Sequence, residues 1–85
     1  MAEYRYRDTP FCQRLNRLLC SAAAVQGLSS RKIAADIGIP PSDLSRYKLG
    51  YAMPSVKKLL QLVDYFGVST DYLLGREGYG LEEER

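Results

Sequence analysis

Apolar residues recur at helical spacing along most of the chain, and no stretch alternates apolar and polar residues long enough to form a strand. The pattern predicts five helices joined by short breaks, and therefore an all-α domain. Two apolar stripes are the clearest and are expected to face the core. They are Phe11, Leu15, Leu18, Leu19 and Ala22 in the first helix, and Val56, Leu59, Leu60, Val63 and Phe66 in the fourth.

Hydroxyl residues, prolines and glycines mark the expected helix ends. Thr9 is placed to cap the first helix, and Pro10 takes its first position, where a missing N–H costs nothing. Ser29 is placed to cap the second helix, and Ser69 or Thr70 begins the last one. Glycines end the later helices, at Gly38, Gly50, Gly67 and Gly75.

The third helix, from Pro41 to about Leu49, has two expected faces. Leu44 and Tyr47 point to one side, while Ser42 and Arg46 point to the other, with Asp43 and Ser45 at the margins. The preceding helix places Ile33, Ala34 and Ile37 inward, and its small residues allow another helix to approach closely. Residues 28–50 therefore have the sequence form of a helix-turn-helix.

Length and composition limit the organisation. Eighty-five residues allow one small domain, which excludes a two-domain enzyme. The expected divisions are a flexible N-terminal arm (1–8), a helical domain (9–75) and an acidic tail (76–85). The arm is basic and aromatic, so contact with phosphates is the alternative to a flexible leader. With no apolar run of about 20 residues and no secretion signal, we expect a cytoplasmic protein without membrane association.

Charge and residue chemistry favour binding over catalysis. The net charge is +2, but the tail carries four acids and two bases, so residues 1–75 are mildly basic. There is no histidine, and Cys12 and Cys20 lie about 12 Å apart along a helix, too far for a disulfide. We expect reduced thiols, no enzyme, no metal and no cofactor, because nucleophile–base pairs, metal clusters and phosphate-binding glycine loops are missing.

Residues 28–50, LSSRKIAADIGIPPSDLSRYKLG, and the later stretch MPSVKKLLQLVDYFGVSTDYLLG together resemble the Cro/cI-type family of helix-turn-helix DNA-binding domains (lambda-repressor-like, XRE). The resemblance extends from about Phe11 to Gly75. It implies a compact five-helix fold with the helix-turn-helix at helices 2 and 3. It also implies a transcriptional regulator that binds double-stranded DNA sequence-specifically, with repression as the expected role.

The exposed face of the third helix supplies the expected base contacts, because an α-helix fits the major groove of DNA. Arg46 can donate two hydrogen bonds to guanine, worth about 1–3 kcal/mol of discrimination, although a salt bridge or a phosphate contact is the alternative. The resemblance implies base contacts at Pro41, Ser42 and Arg46, and Ser45 lies beside them. Pro41 has no side-chain donor, so it offers only apolar contact or a preset helix start. For Asp43, a favourable interaction with the helix dipole competes with accepting from a cytosine amine.

Phosphate contacts are expected mainly at the start of the second helix. Its N–H groups form an anion site, and the resemblance implies a phosphate contact at Ser30. Arg31 and Lys32 place positive charge at the positive end of the helix dipole, and a nearby phosphate would offset this unfavourable interaction. The alternative is that both are solvated surface cations without a phosphate partner. Lys48, Tyr51 and the pair Lys57-Lys58 are weaker candidates.

One recognition helix reads few base pairs, so we predict a homodimer that places two of them about 34 Å apart on an inverted repeat. Apolar residues left outside the expected core are the candidates for its interface, namely Tyr51, Met53, Tyr72, Tyr79 and Leu81. No small-molecule effector is expected in a chain of this size. The alternative function is a protein-interaction module of the same fold, an antitoxin or an adaptor, which the acidic tail favours slightly.

Overall fold

The computed structural model describes residues 5–76, which form five α-helices and no strand. The helices are α1 (Pro10–Gln26), α2 (Ser30–Ile37), α3 (Pro41–Leu49), α4 (Val56–Phe66) and α5 (Thr70–Leu74). The prediction of an all-α domain with a helix-turn-helix at the second and third helices is confirmed.

Hydroxyl side chains cap four of the helices. Thr9, Ser29, Ser55 and Ser69 each accept a hydrogen bond from the backbone N–H three residues later. Each cap stabilises its helix by about 1 kcal/mol. The third helix differs, because Pro40 precedes it without a side-chain cap and Pro41 occupies its first turn. Its start therefore depends on proline geometry and on contacts with other helices.

The connection between α2 and α3 is only three residues long. Gly38 has a φ of 96°, in the left-handed region that suits glycine, and its N–H and that of Ile39 both donate to the carbonyl oxygen of Ala34. Ile39 is buried, so the turn itself is part of the core. Because Ala34 is also fully buried and small, α2 and α3 pack closely together.

The core lies where α1 meets α3 and α5, and where α4 meets α5 and α2. The Phe11 ring packs edge-on against Tyr47, with 6.4 Å between ring centroids. The largest fully buried side chains come from all five helices and are Phe11, Leu15, Ile33, Leu44, Leu62 and Leu73. Among the described helices, none combines the length and the apolar character that crossing a bilayer would require.

The predicted inner face of α4 is partly wrong. Val56 and Leu60, expected in the core, are 73% and 48% exposed, whereas Leu62 is fully buried. The hydrophobic positions of this helix that are buried or half-buried are Leu59, Leu62, Val63, Tyr65 and Phe66. Both α5 and α2 pack against α4, and their position selects this neighbouring stripe.

Residues 5–8 form a turn that lies against the end of α3. The Tyr6 N–H donates to the carbonyl oxygen of Gly50 over 2.9 Å, and the Thr9 hydroxyl donates to the carbonyl oxygen of Tyr6 over 2.7 Å. The described part of the expected arm therefore contacts the helical domain. Residues 1–4 and 77–85 lie outside the described residues, and the divisions at residues 8 and 75 stay predictions.

Candidate nucleic-acid interface

The two faces of α3 differ as the sequence predicted. Leu44 and Tyr47 are buried, which fixes the helix against the core. Pro41, Ser42 and Arg46 are exposed on the outer side, and Ser45 is half-buried beside them. The Arg46 side chain is 61% exposed, so its guanidinium can reach a ligand in solution. The four residues predicted to contact bases thus share one accessible surface.

A charged bridge connects the N-terminal half of α3 to α4. The ammonium of Lys58 lies 2.6 Å from Oδ2 of Asp43, and this hydrogen bond raises the pKa of Lys58 above its usual value. The other carboxylate oxygen, Oδ1, lies 4.0 Å from Nη1 of Arg46. Asp43 therefore faces two cations, one on α4 and one a turn further along α3. The sequence predicts for Asp43 only an interaction with the helix dipole or with a cytosine, and no local pattern in it indicates this bridge.

Side chains of α1 hold the other end of α3. The last carbonyl groups of a helix have no partner within the helix. One of them, the Lys48 carbonyl, accepts from Nδ2 of Asn16 over 2.7 Å and from Sγ of Cys12 over 3.4 Å. The exposed surface of α3 is consequently fixed by hydrogen bonds at both ends.

The two cysteines have different surroundings. Burial raises the pKa of the Cys12 thiol, although the charge of Arg7 acts against this shift. Cys20 is exposed on the same helix, and neither cysteine forms a disulfide. Within residues 5–76, no three His, Cys, Asp or Glu side chains come together as a metal site would require.

The structure brings two of the predicted phosphate-binding residues together. The ammonium of Lys48, on α3, lies 3.3 Å from the hydroxyl of Ser30, the first residue of α2. The N-terminus of α2 carries partial positive charge from its unpaired N–H groups. A cation, a hydroxyl and a helix N-terminus thus lie side by side, an arrangement that suits a phosphate oxygen.

The other predicted phosphate-binding residues are all exposed. Arg31 is exposed on the first turn of α2. Lys32 is also exposed and lies 3.2 Å from Asp36 one turn later, which partly offsets its unfavourable position near the positive end of the helix. Tyr51 is exposed just beyond α3, and its N–H donates to the carbonyl oxygen of Arg46.

The predicted dimer residues within the described part of the chain differ in their exposure. Tyr51 is exposed, and Met53 packs partly against the core. Tyr72 is half-buried, and the guanidinium of Arg14 lies 4.6 Å from its ring centroid. Tyr79 and Leu81 lie outside the described residues. Val56 and Leu60 of α4 are also exposed and apolar, although the sequence pattern predicts them in the core and not in an interface.

Two short helices joined at a glycine turn, the second with a buried apolar side and an exposed polar side, define a helix-turn-helix protein. The model of the Helix-turn-helix family matches residues 26–73, which is more than half of the chain. The chain belongs to this family, and the resemblance to the Cro/cI type is confirmed.

Two curated relatives, both from Bacillus subtilis (strain 168), are similar to the chain. One is the HTH-type transcriptional regulator ImmR, 33% identical over 82% of this chain and 55% of its own length. The other is the SPbeta prophage-derived uncharacterized HTH-type transcriptional regulator YonR, 36% identical over 75% of this chain and 56% of its own length. The chain thus spans little more than half the length of these relatives. No solved structure matches the chain.

Proposed function

We propose that this protein binds double-stranded DNA sequence-specifically and regulates transcription, acting as a repressor. The observation that carries the proposal is the exposed polar side of α3, which presents Arg46 to solvent while Leu44 and Tyr47 anchor the opposite side in the core. A helix of this kind fits the major groove. The names of both relatives, which describe transcriptional regulators, support the same function.

In this proposal the exposed side of α3 reads base edges. Arg46 donates to O6 and N7 of a guanine, a pairing worth about 1–3 kcal/mol against a wrong base. Ser42 offers a hydroxyl on the same side, while Pro41 supplies only apolar contact. Ser45, at the half-buried margin, is the fourth base-contacting residue.

Phosphate groups are bound mainly beside α3. Ser30 and Lys48 form one phosphate site at the start of α2, with Arg31 and Lys32 next to it on the same turn. Tyr51 contacts a phosphate beyond the C-terminal end of α3. These contacts fix the register of the protein on the duplex and carry no sequence information by themselves.

The proposed regulator acts as a homodimer on an inverted repeat, without a small-molecule effector. Two copies of α3 about 34 Å apart would read two half-sites. The predicted dimer surface includes Tyr51, which is exposed, together with Met53, Tyr72, Tyr79 and Leu81. The exposed Val56 and Leu60 are further candidates, since burying apolar side chains of this size in an interface is favourable.

Selection of bound fragments from random DNA tests the function directly. The wild-type protein is expected to enrich an inverted repeat, and the double variant Ser42→Ala/Arg46→Ala is expected to lose that enrichment. Arg17→Ala, which removes an exposed arginine from α1 outside the helix-turn-helix, is the matched control and should enrich the same repeat. Unchanged enrichment by the double variant would contradict the assigned reading surface, and no enrichment by the wild type would contradict DNA recognition.

The salt dependence of binding tests the phosphate site separately. Each phosphate contact contributes about −0.9 to the slope of log affinity against log salt concentration. Lys48→Met is expected to make the slope less negative by about 1 and to weaken binding to all sequences equally. A flat salt response of the wild type would favour the protein-interaction alternative.

A further inference from the structure

The acidic residue on the proposed reading surface, Asp43, has a cation beside each of its carboxylate oxygens. Oδ2 is 2.6 Å from the ammonium of Lys58, and Oδ1 is 4.0 Å from the guanidinium of Arg46. We propose that Asp43, anchored by Lys58, is a positioning residue that directs Arg46 toward a base and away from the DNA backbone. The inference rests on the proposed function and assigns a determinant of its specificity.

The two ion pairs differ in how firmly they are held. The Asp43 side chain is only 19% exposed, and its short bond to Lys58 ties it to a different helix. Arg46, by contrast, is 61% exposed. The carboxylate is therefore the fixed partner, and the guanidinium is the group whose position it can influence.

Open space beside Arg46 allows its side chain to adopt other conformations. A cavity of about 260 Å³ opens beside it between α3 and α4. Its walls are formed by Asp43, Arg46, Tyr47, Ala52, Met53, Ser55 and Lys58. A long side chain next to open space loses conformational freedom when it binds, and a fixed carboxylate reduces that loss for the conformations that keep the ion pair.

The charges on this surface distinguish a positioning role of Asp43 from a purely structural role. A lone carboxylate facing DNA would repel phosphates, but here one negative charge lies between two positive charges. Replacing Asp43 by asparagine leaves the surface more positive, which favours attraction to any DNA sequence. At the same time it removes the partner that orients Arg46. Selective binding is consequently expected to weaken, while non-selective binding is expected to stay unchanged or to strengthen.

The experiment compares the wild-type 85-residue chain with its Asp43→Asn variant on two duplexes at one salt concentration. One duplex carries the selected site. The other duplex has a substitution at the base pair that Arg46 reads. This base pair is identified as the one whose substitution weakens binding by the wild type but does not change the affinity of Arg46→Ala. Asp71→Asn, which removes an exposed carboxylate from the first turn of α5, is the matched control.

Asp43→Asn is expected to lower the affinity ratio of the two duplexes by about three- to tenfold, because Arg46 must be ordered on binding. Its affinity for the substituted duplex should be unchanged or higher. In the Arg46→Ala background, Asp43→Asn should leave the ratio within about twofold. Asp71→Asn should behave as the wild type. Lys58→Met should also lower the ratio, because it releases the carboxylate, and it provides a second test if Asp43→Asn folds poorly.

Three results would overturn the inference. An unchanged ratio for Asp43→Asn would show that Arg46 needs no orienting carboxylate. Equal losses on both duplexes, with a lower Tm, would show a structural role only. An Asp43→Asn effect that persists without Arg46 would show that the carboxylate acts elsewhere. A wild type that selects no site would instead refute the proposed function, so the two failures are distinguishable.

Discussion

Substitution of Gly50, the residue that ends α3, tests how the N-terminal turn packs against this helix. Gly50 has a φ of 89°, which an alanine adopts only at a cost. A Cβ atom at this position would also lie 2.6 Å from Cα and 2.7 Å from N of Arg7. Gly67, which ends α4 with a φ of 69°, has open space around the same atom. Gly50→Ala and Gly67→Ala therefore share the backbone strain and differ in the clash.

The magnitudes follow from these two terms. Gly67→Ala is expected to lower the free energy of unfolding by about 1 kcal/mol, the cost of the left-handed conformation. Gly50→Ala adds the displacement of residues 5–8 and the loss of the 2.9 Å hydrogen bond from Tyr6 to the Gly50 carbonyl. With about 1 kcal/mol for that bond and further loss of packing, the total is about 2–3 kcal/mol.

Urea denaturation followed by circular dichroism measures both changes, and thermal melting checks them. About 1 kcal/mol corresponds to a Tm shift of roughly 4–8 °C in a domain of this size. The expected Tm decrease is therefore about 5 °C for Gly67→Ala and about 10–20 °C for Gly50→Ala. Equal losses for the two variants would refute the packing of the N-terminal turn against α3.

Three further predictions concern the core, a helix end and alkaline pH. Leu62→Ala should lower the free energy of unfolding by about 2–5 kcal/mol and Leu60→Ala by less than about 1 kcal/mol; equal losses in urea denaturation would contradict the assigned face of α4. Asn16→Ala leaves the Lys48 carbonyl without its amide donor and should cost about 1–2 kcal/mol, a prediction that unchanged thermal stability would refute. Because burial raises the pKa of Cys12, the unfolded thiol ionises first, so stability should fall as pH rises above the ordinary thiol value of 9.0. Cys12→Ala should remove this part of the decline in denaturation measured across pH, whereas an identical decline would contradict the assignment.

The helix boundaries could be predicted because their signals are local. A hydroxyl side chain caps a helix by accepting from the backbone N–H three residues later, and a glycine ends a helix by adopting a positive φ. Both interactions lie within one turn of the chain. The inner face of α4 could not be predicted in the same way. Residues 56, 59, 60 and 63 and residues 59, 62, 63 and 66 have the same spacing, so periodicity alone allows both stripes. Packing by α2 and α5 selects the second stripe.

The exposed side of α3 was predictable from helix geometry once Leu44 and Tyr47 were assigned to the core. Its supporting contacts were not, because their partners are distant in sequence. Asp43 and Lys58 are separated by 15 positions, and Asn16 and the Lys48 carbonyl by 32. No local pattern pairs such residues, and only the packing of the helices brings them together.

Methylation protection at guanine N7, an atom in the major groove, tests the central claim most directly. On the selected site, the wild-type protein is expected to protect guanines in both half-sites. Arg46→Ala, at a concentration that restores occupancy, should leave one guanine in each half-site newly reactive and the others protected. Protection that is identical for the two proteins, or binding with no protected guanine in the major groove, would contradict the assignment of α3 as the reading helix.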